Sequence, residues 1–125
     1  MAKKRILLVD DEKSLTSLLK LNLEETGNYE VRVENWAEDA LPAARQFKPD
    51  LVLLDIIMPR MPGGNVASLI DNDPELKGTP IVFLTAAVRR HQVEENEGII
   101  CDHPCLAKPA TVEEVIAMIE KHARK

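Results

Sequence analysis

The chain has 125 residues, a formal net charge of -5 and 45% hydrophobic residues, which predicts one domain with a single core over residues 1–125. The negative charge offers no basic surface for nucleic acid, so direct DNA or RNA binding by this chain is disfavoured. No run approaches the roughly 18 apolar residues of a membrane span, and the run after Arg5 is too short for a secretory signal. These features predict a cytoplasmic protein without a membrane segment.

The first half of the chain alternates strand and helix patterns. The apolar run 6–9 predicts a strand buried on both faces, and leucines at helical spacing over 15–23 predict the helix that follows. Residues 29–34 alternate apolar and charged side chains, which is typical of a half-exposed strand at a sheet edge. The next helix is predicted over 37–47, with Pro42 kinking it or delaying its start.

The middle of the chain repeats this alternation. A second apolar run at Leu51–Leu54 and a third at 81–84 predict two more strands buried on both faces. Between them, residues 66–72 have a weaker helical pattern.

The last elements are a short strand and a capped helix. Residues 105–107 predict the strand, and apolar residues at helical spacing over 112–119 predict the helix. Thr111 and Glu114 form the sequence pattern of a capping box at its start. Because strands and helices alternate along the whole chain, we expect an α/β fold with a parallel sheet covered by helices on both faces.

Three aspartates follow two of the predicted strands. Asp10 and Asp11 come after the first apolar run, and Asp55 comes directly after the second. In parallel sheets of this kind ligands bind beyond the carboxyl ends of the strands. Two like charges ~4 Å apart repel by ~4 kcal/mol at an effective dielectric constant near 20, so such a cluster needs protons or a cation. Carboxylate oxygens favour Mg²⁺, although a single strand-end aspartate is more often an ordinary turn former.

Two further strand ends carry polar side chains. Thr85 follows the third apolar run, and Lys108 follows the last short strand. A hydroxyl and an ammonium beside carboxylates and a metal ion can hold a phosphoryl group.

Four motifs carry a family resemblance along essentially the whole chain: "LLVDDEKS", "PDLVLLDIIMPRMPGG", "PIVFLTAA" and "CLAKP". With them the chain resembles the CheY-like receiver domains of response regulators in two-component signal transduction. The resemblance implies a flavodoxin-like (βα)5 three-layer sandwich with a parallel five-stranded sheet of order 2-1-3-4-5.

The resemblance also implies a role for each strand-end residue. Asp55 would be the phosphoacceptor that takes a phosphoryl group from a phosphohistidine. Asp10, Asp11, Asp55 and the backbone carbonyl of Ile57 would bind Mg²⁺, for which Mn²⁺ can substitute. Lys108 would contact the phosphoryl oxygens.

The switch residues implied by the resemblance are Thr85, Ala86 and the bond from Lys108 to Pro109, which is a cis peptide in the family. Thr85 would move toward the phosphoryl group, and the small Ala86 would leave it room. Receivers usually have Tyr or Phe three residues before the lysine, whereas this chain has Cys105. The relay of the signal therefore has to differ from the family pattern.

The partners implied are a sensor histidine kinase or a phosphotransfer protein, and an output partner or effector domain that the sequence does not identify. The faces around the last two helices would change their affinity on phosphorylation, and phosphorylation-dependent dimerisation is one form of such output. The protein would be a signalling phosphoacceptor rather than an enzyme, catalysing only its own phosphorylation and dephosphorylation.

Three alternatives compete with this interpretation. A receiver-like module could bind its partners without phosphorylation, as the missing aromatic would allow. A phosphatase of the haloacid dehalogenase type also uses a strand-end aspartate, but usually has a second acid where this chain has Ile57. Cys101, His103 and Cys105 suggest a zinc or redox site, but a fourth ligand for zinc is not evident nearby.

Overall fold

The strands and helices follow the predicted alternation in a computed structural model that describes residues 3–56, 58, 61, 63–85, 99–100, 103–108 and 110–123. Its strands are β1 (Lys4–Val9), β2 (Tyr29–Glu34), β3 (Leu51–Leu54), β4 (Ile81–Thr85), β5 (Ile99–Ile100) and β6 (His103–Ala107). Its helices are α1 (Lys13–Glu25), α2 (Ala40–Phe47), α3 (Gly63–Asn72) and α4 (Val112–His122).

The sheet has the order β2-β1-β3-β4-β6-β5. The first five strands in that order are parallel to their neighbours, so the predicted order 2-1-3-4-5 is confirmed with β6 as the fifth parallel strand. The two-residue strand β5 was not predicted, and it pairs antiparallel with β6 at the edge of the sheet. It is too short to have a period that sequence patterns could reveal.

Helices cover both faces of the sheet, as expected for three layers. Side chains of α2 and α3 pack on one face, and those of α1 and α4 pack on the other. Successive residues of a strand point to opposite faces, so the apolar runs supply both layers of the core. The first face takes Leu7, Val9, Val52, Leu54, Ile81 and Phe83, and the second takes Ile6, Leu8, Leu51, Leu53, Val82 and Leu84.

The helix starts have local causes. Glu114 N–H donates to Thr111 Oγ1 and Thr111 N–H donates to Glu114 Oε1, both at 3.1 Å, so the predicted capping box at the start of α4 is confirmed. Of the two effects predicted from Pro42, a kink or a delayed start, the delayed start is confirmed, because α2 begins at Ala40 after a 3-10 turn at Ala37–Asp39. Pro42 lies in the first turn of that helix, where an N–H has no partner within the helix.

The outer edge of β2 is contacted by two side chains of α1. Lys20 Nζ donates to the carbonyl of Val31 at 3.0 Å, and the N–H of Val31 donates to Glu24 Oε2 at 3.1 Å. The two side chains also form an ion pair at 3.7 Å. Both backbone groups of Val31 therefore have partners although no strand lies beyond β2 in the described sheet.

Two side-chain pairs tie elements together away from the carboxyl ends of the strands. The hydroxyl of Tyr29 donates to Glu120 Oε2 at 2.5 Å, and burial together with this carboxylate raises the pKa of Tyr29 to about 12. Arg45 of α2 donates from Nε to Asp73 Oδ2 at 2.7 Å. The guanidinium holds the pKa of the Asp73 carboxyl below its ordinary value.

Among the helices in the described part of the chain, none is both long and apolar enough to cross a membrane.

Candidate functional site

Three carboxylates meet where β1 and β3 end. These strands are parallel neighbours with Val9 opposite Leu54, and the N–H of Asp55 donates to the carbonyl of Val9 at 3.0 Å. Carboxylate oxygens of Asp10, Asp11 and Asp55 all lie within 4.8 Å of one another. Asp10 and Asp55 are buried, whereas Asp11 is exposed. The strand ends thus bring together the three acids, as the sequence analysis expected.

Lys108 reaches this cluster from the end of β6. Its Nζ lies 2.6 Å from Asp10 Oδ2, 3.8 Å from Asp55 Oδ2 and 3.4 Å from Glu12 Oε1. The lysine side chain is only 11% exposed, so the ammonium is held among the carboxylates rather than in solvent. Glu12 is an additional partner that the sequence analysis did not identify.

The environment shifts the pKa values of Asp10 and Lys108, the closest pair of charged groups in the cluster. Burial raises the pKa of Asp10, while the hydrogen bonds from Lys108 and from the N–H of Glu12 oppose this effect. Burial by itself lowers the pKa of Lys108, but the Asp10 carboxylate outweighs it and the net pKa of Lys108 is raised. Lys108 is therefore an ammonium at neutral pH.

The charges and donor atoms of the cluster fit a divalent cation. The carboxylates of Asp10, Asp11 and Asp55 together with Lys108 leave an excess of two negative charges. All the anionic donors are hard oxygens, the ligands that Mg²⁺ prefers. Among the described residues this is also the one group of three acidic, histidine or cysteine side chains close enough to hold a metal ion.

The backbone of Asp10 is held from the end of β2. Its N–H donates to the carbonyl of Glu34 at 3.2 Å, and its carbonyl accepts from Asn35 Nδ2 at 2.8 Å. The same amide nitrogen donates to Thr16 Oγ1 at 3.1 Å. Neither Asn35 nor Thr16 was predicted from the sequence. Asn35 did carry the same signal as the aspartates, a polar residue directly after a strand.

The structure describes only part of the predicted switch. Thr85 ends β4 with its backbone opposite Ala107 of β6, at the same end of the sheet as the acids. Its side chain lies outside the described part of the structure, as do Ile57, Ala86 and Pro109. The roles expected for these residues stay predictions.

Cys105 does not lie among the carboxylates. It is buried in the core layer beneath α2 and α3, and burial raises the pKa of its thiol. His103, two residues earlier on β6, pairs through Nε2 with Asp71 Oδ2 at 2.7 Å and packs edge-on against Phe83. Cys101, the third residue of the zinc or redox alternative, lies outside the described residues.

Comparison with known proteins gives the same family along the chain. A profile of the response regulator receiver domain matches residues 6–120. The alkaline phosphatase synthesis transcriptional regulatory protein PhoP of Bacillus subtilis is 41% identical over 83 residues, which cover 66% of this chain and 33% of that protein. The DNA-binding dual master transcriptional regulator RpaA of Synechocystis is 32% identical over 124 residues, which cover 97% of this chain and 49% of that protein.

Solved structures agree with the sequence comparisons. The chemotaxis protein CheY4 of Vibrio cholerae superposes with a TM-score of 0.81 at 26% identity, covering 96% of this chain and 98% of that one. The curated relatives are longer, since the matched stretch spans between 33% and 49% of their length. The chain therefore belongs to the CheY-like response regulator receiver domains of two-component signal transduction.

Proposed function

We propose that this chain is a phosphoacceptor that takes a phosphoryl group on Asp55 from the phosphohistidine of a sensor histidine kinase or phosphotransfer protein. The observation that carries the proposal is the placement of Asp55, 6% exposed, beside two other carboxylates and the Lys108 ammonium. Family membership supports the same assignment, because receiver domains are signalling phosphoacceptors rather than classical enzymes.

The transfer exchanges one bond for another. A carboxylate oxygen of Asp55 attacks phosphorus, the new O–P bond forms as the N–P bond breaks, and the imidazole of the donor leaves. The product is an acyl phosphate on Asp55. Lys108 Nζ, 3.8 Å from Asp55 Oδ2, can pair with the oxygens of the transferred group. Attack of water on the same phosphorus would form a new O–P bond, break the bond to the Asp55 oxygen and release inorganic phosphate, which returns the carboxylate. The chain would thus catalyse only its own phosphorylation and dephosphorylation.

Asp10, Asp11 and Asp55, with the carbonyl of Ile57, would hold Mg²⁺ or Mn²⁺ in this reaction. The cation would neutralise the oxygens of the phosphoryl group, which otherwise repel an anionic nucleophile. Glu12 N–H and Lys108 both contact the Asp10 carboxylate, so its orientation is fixed before a cation arrives. Preformed ligands reduce the cost of binding.

The output would depend on the loops that follow β4 and precede α4. Thr85 would move toward the phosphoryl group together with the first loop, and the small side chain of Ala86 would leave room for that group. The cis peptide bond before Pro109 would fix the course of the second loop. Cys105 cannot supply the aromatic rotation of other receivers, so the relay would run through Thr85 and backbone shifts.

The faces around the last two helices of the (βα)5 pattern would then change their affinity for a partner, for a second copy of the chain or for an effector domain. The last of these helices is α4, and the one expected between β4 and β5 lies outside the described residues. The curated relatives are named as DNA-binding or transcriptional regulators. With a net charge of -5 and the motifs of a receiver domain, this chain would reach DNA only through such a partner or effector domain. The reaction would take place in the cytoplasm, where histidine kinases present their phosphohistidine.

Intact mass spectrometry after incubation with acetyl phosphate tests the proposal. We expect one phosphoryl adduct that requires Mg²⁺ or Mn²⁺, is absent in Asp55→Asn and persists in Asp39→Asn, an exposed acid outside the cluster. An adduct that forms equally on Asp55→Asn, or forms equally in EDTA, would contradict the assignment.

A second function, partner binding that does not depend on phosphorylation, is favoured by one observation. The switch position holds the buried thiol of Cys105 instead of an aromatic ring. Absence of any adduct under all these conditions would support this alternative.

A further inference from the structure

We propose that Asn35 is a positioning residue for the cation site: it holds the backbone of Asp10 so that the carboxylate keeps its binding orientation. This inference rests on the metal-dependent function proposed above and names one determinant of its metal affinity. Nothing in the motifs of the chain points to Asn35, because it lies in none of them.

Two consecutive residues hold the backbone of Asp10 by hydrogen bonds. β2 ends at Glu34, whose carbonyl accepts the N–H of Asp10 at 3.2 Å. Asn35 then holds the carbonyl of Asp10 through Nδ2 at 2.8 Å. Both peptide groups of Asp10 are thereby fixed to the end of β2, one by a backbone atom and one by a side chain.

Thr16 fixes the orientation of the Asn35 amide. Its hydroxyl donates to the carbonyl of Lys13 at 3.1 Å, so the Thr16 oxygen is left to accept from Asn35 Nδ2 at 3.1 Å. The Asp10 carbonyl is an acceptor only, so the amide nitrogen rather than the amide oxygen must face this pair. Thr16 is 1% exposed and packs in the body of α1, which makes it a firm anchor.

The carboxylate of Asp10 is fixed in turn by what surrounds it. Oδ1 accepts from the N–H of Glu12 at 3.0 Å, and Oδ2 accepts from Lys108 Nζ at 2.6 Å. If Asn35 is removed, the carbonyl of Asp10 loses a donor at a position where the residue is 1% exposed. The turn from Asp10 to Glu12 can then rotate to find another partner, and it carries the carboxylates of Asp10 and Asp11 with it.

Groups that orient metal ligands typically change metal affinity by roughly 10- to 100-fold when they are removed. We therefore expect Asn35→Ala to weaken Mg²⁺ binding at least about tenfold. Isothermal titration of Mg²⁺ into the folded protein measures this directly. Asn65→Ala, which removes an exposed amide on α3, is the matched control and keeps the wild-type affinity. Wild-type affinity in Asn35→Ala would overturn the inference.

The Mg²⁺ dependence of acyl phosphate formation separates positioning from a general loss of structure. In Asn35→Ala the half-saturating Mg²⁺ concentration should rise about tenfold, while the rate at saturating Mg²⁺ stays close to that of the wild type. A rate that Mg²⁺ cannot restore would mean that Asn35 supports the fold only and would overturn the inference. A normal adduct with unchanged affinity in Asn35→Ala would refute the role of Asn35 and leave the phosphoacceptor function standing.

Thr16→Val tests the same contacts, and its Mg²⁺ affinity can be compared with that of the wild type even if Asn35→Ala does not fold. It keeps the size of the side chain and removes the acceptor for Asn35 while leaving the Asp10 carbonyl in place. We expect a smaller loss of Mg²⁺ affinity than in Asn35→Ala, and no further loss when the two changes are combined, since Thr16 acts on the cluster through Asn35. Unchanged affinity in Thr16→Val, or losses that add in the double variant, would contradict this chain of contacts.

Discussion

Replacing Asp55 by Asn should stabilise the metal-free protein. The change keeps the shape of the side chain and removes one charge from a cluster in which the oxygens of three carboxylates lie within 4.8 Å of one another. It also removes a charge from a side chain that is 6% exposed. Both effects lower the cost of folding, because the charged carboxylate is repelled by its neighbours and poorly hydrated.

The distances between the charged groups of the cluster set the size of this gain in stability. At 4.8 Å or less, Asp55 and Asp10 repel by at least about 3.5 kcal/mol at an effective dielectric constant near 20. Asp11 is exposed and adds about 1 to 3.5 kcal/mol, between the limits for water and for that dielectric constant. The attraction between Asp55 and Lys108 Nζ, 3.8 Å away, offsets about 4.4 kcal/mol of this repulsion. The balance is about 0 to 3 kcal/mol of net repulsion, to which burial of the charge adds, so we expect a gain of about 1–3 kcal/mol.

Urea unfolding and thermal melts in EDTA measure this gain, which corresponds to about 4 °C per kcal/mol in a domain of this size. Mg²⁺ should then narrow this difference in stability, since the wild type gains about 2.7 kcal/mol at 100 times its Kd and Asp55→Asn, which lacks one of the three carboxylates, gains less. Asp39→Asn, outside the cluster, should respond to Mg²⁺ as the wild type does. If Asp55→Asn is less stable than the wild type in EDTA, the charge argument for the cluster is wrong.

The other predictions concern groups outside the cluster. The single tyrosine, Tyr29, should ionise near pH 12 in an absorbance titration of the folded protein, and Glu120→Gln should move that midpoint toward 10; a wild-type midpoint near 10 would exclude the contact. Because the pKa of Asp73 is lowered in the fold, its contribution to stability is complete above its ordinary value of 3.8 and is lost as the pH falls through and below it. Asp73→Asn should therefore be less stable than the wild type at pH 7 by urea unfolding, and the difference should shrink below pH 3.8; a difference that is constant with pH would contradict this. In a Cys101→Ser background, Cys105 should react with a thiol reagent far more slowly in the native state than in urea, because it is buried and its pKa is raised; equal rates would refute its burial.

The main strands and the acidic cluster could be predicted because their signals are local. An apolar run such as Leu51–Leu54 has to be buried on both faces, and the aspartate that follows it then lies at the open end of the sheet. The alternation over Tyr29–Glu34 correctly indicated an edge strand, because only one of its faces is in the core. Thr111 and Glu114 also act within one turn of helix, so the capping box was visible in the sequence.

The remaining contacts depend on residues that are distant in the sequence. Asn35 meets Asp10 and Thr16 only after β2 has paired with β1, so no spacing along the chain predicts their hydrogen bonds. The pairing of His103 with Asp71 likewise requires α3 to pack near β6. From the sequence alone, His103 could be interpreted only together with its neighbours along the chain, and that led to the zinc or redox alternative.

The contacts of Lys20 and Glu24 with β2 bear on how the protein behaves at high concentration. Exposed strand edges are templates on which another chain can add a strand, and this is a route to aggregation. A strand approaching β2 would have to displace an ammonium from the carbonyl of Val31 and a carboxylate from its N–H, and each charged group would lose a hydrogen bond to the backbone. An incoming backbone amide offers neither a full positive nor a full negative charge in exchange. This edge of the sheet is thus protected against self-association by the ion pair of Lys20 and Glu24 on the neighbouring helix.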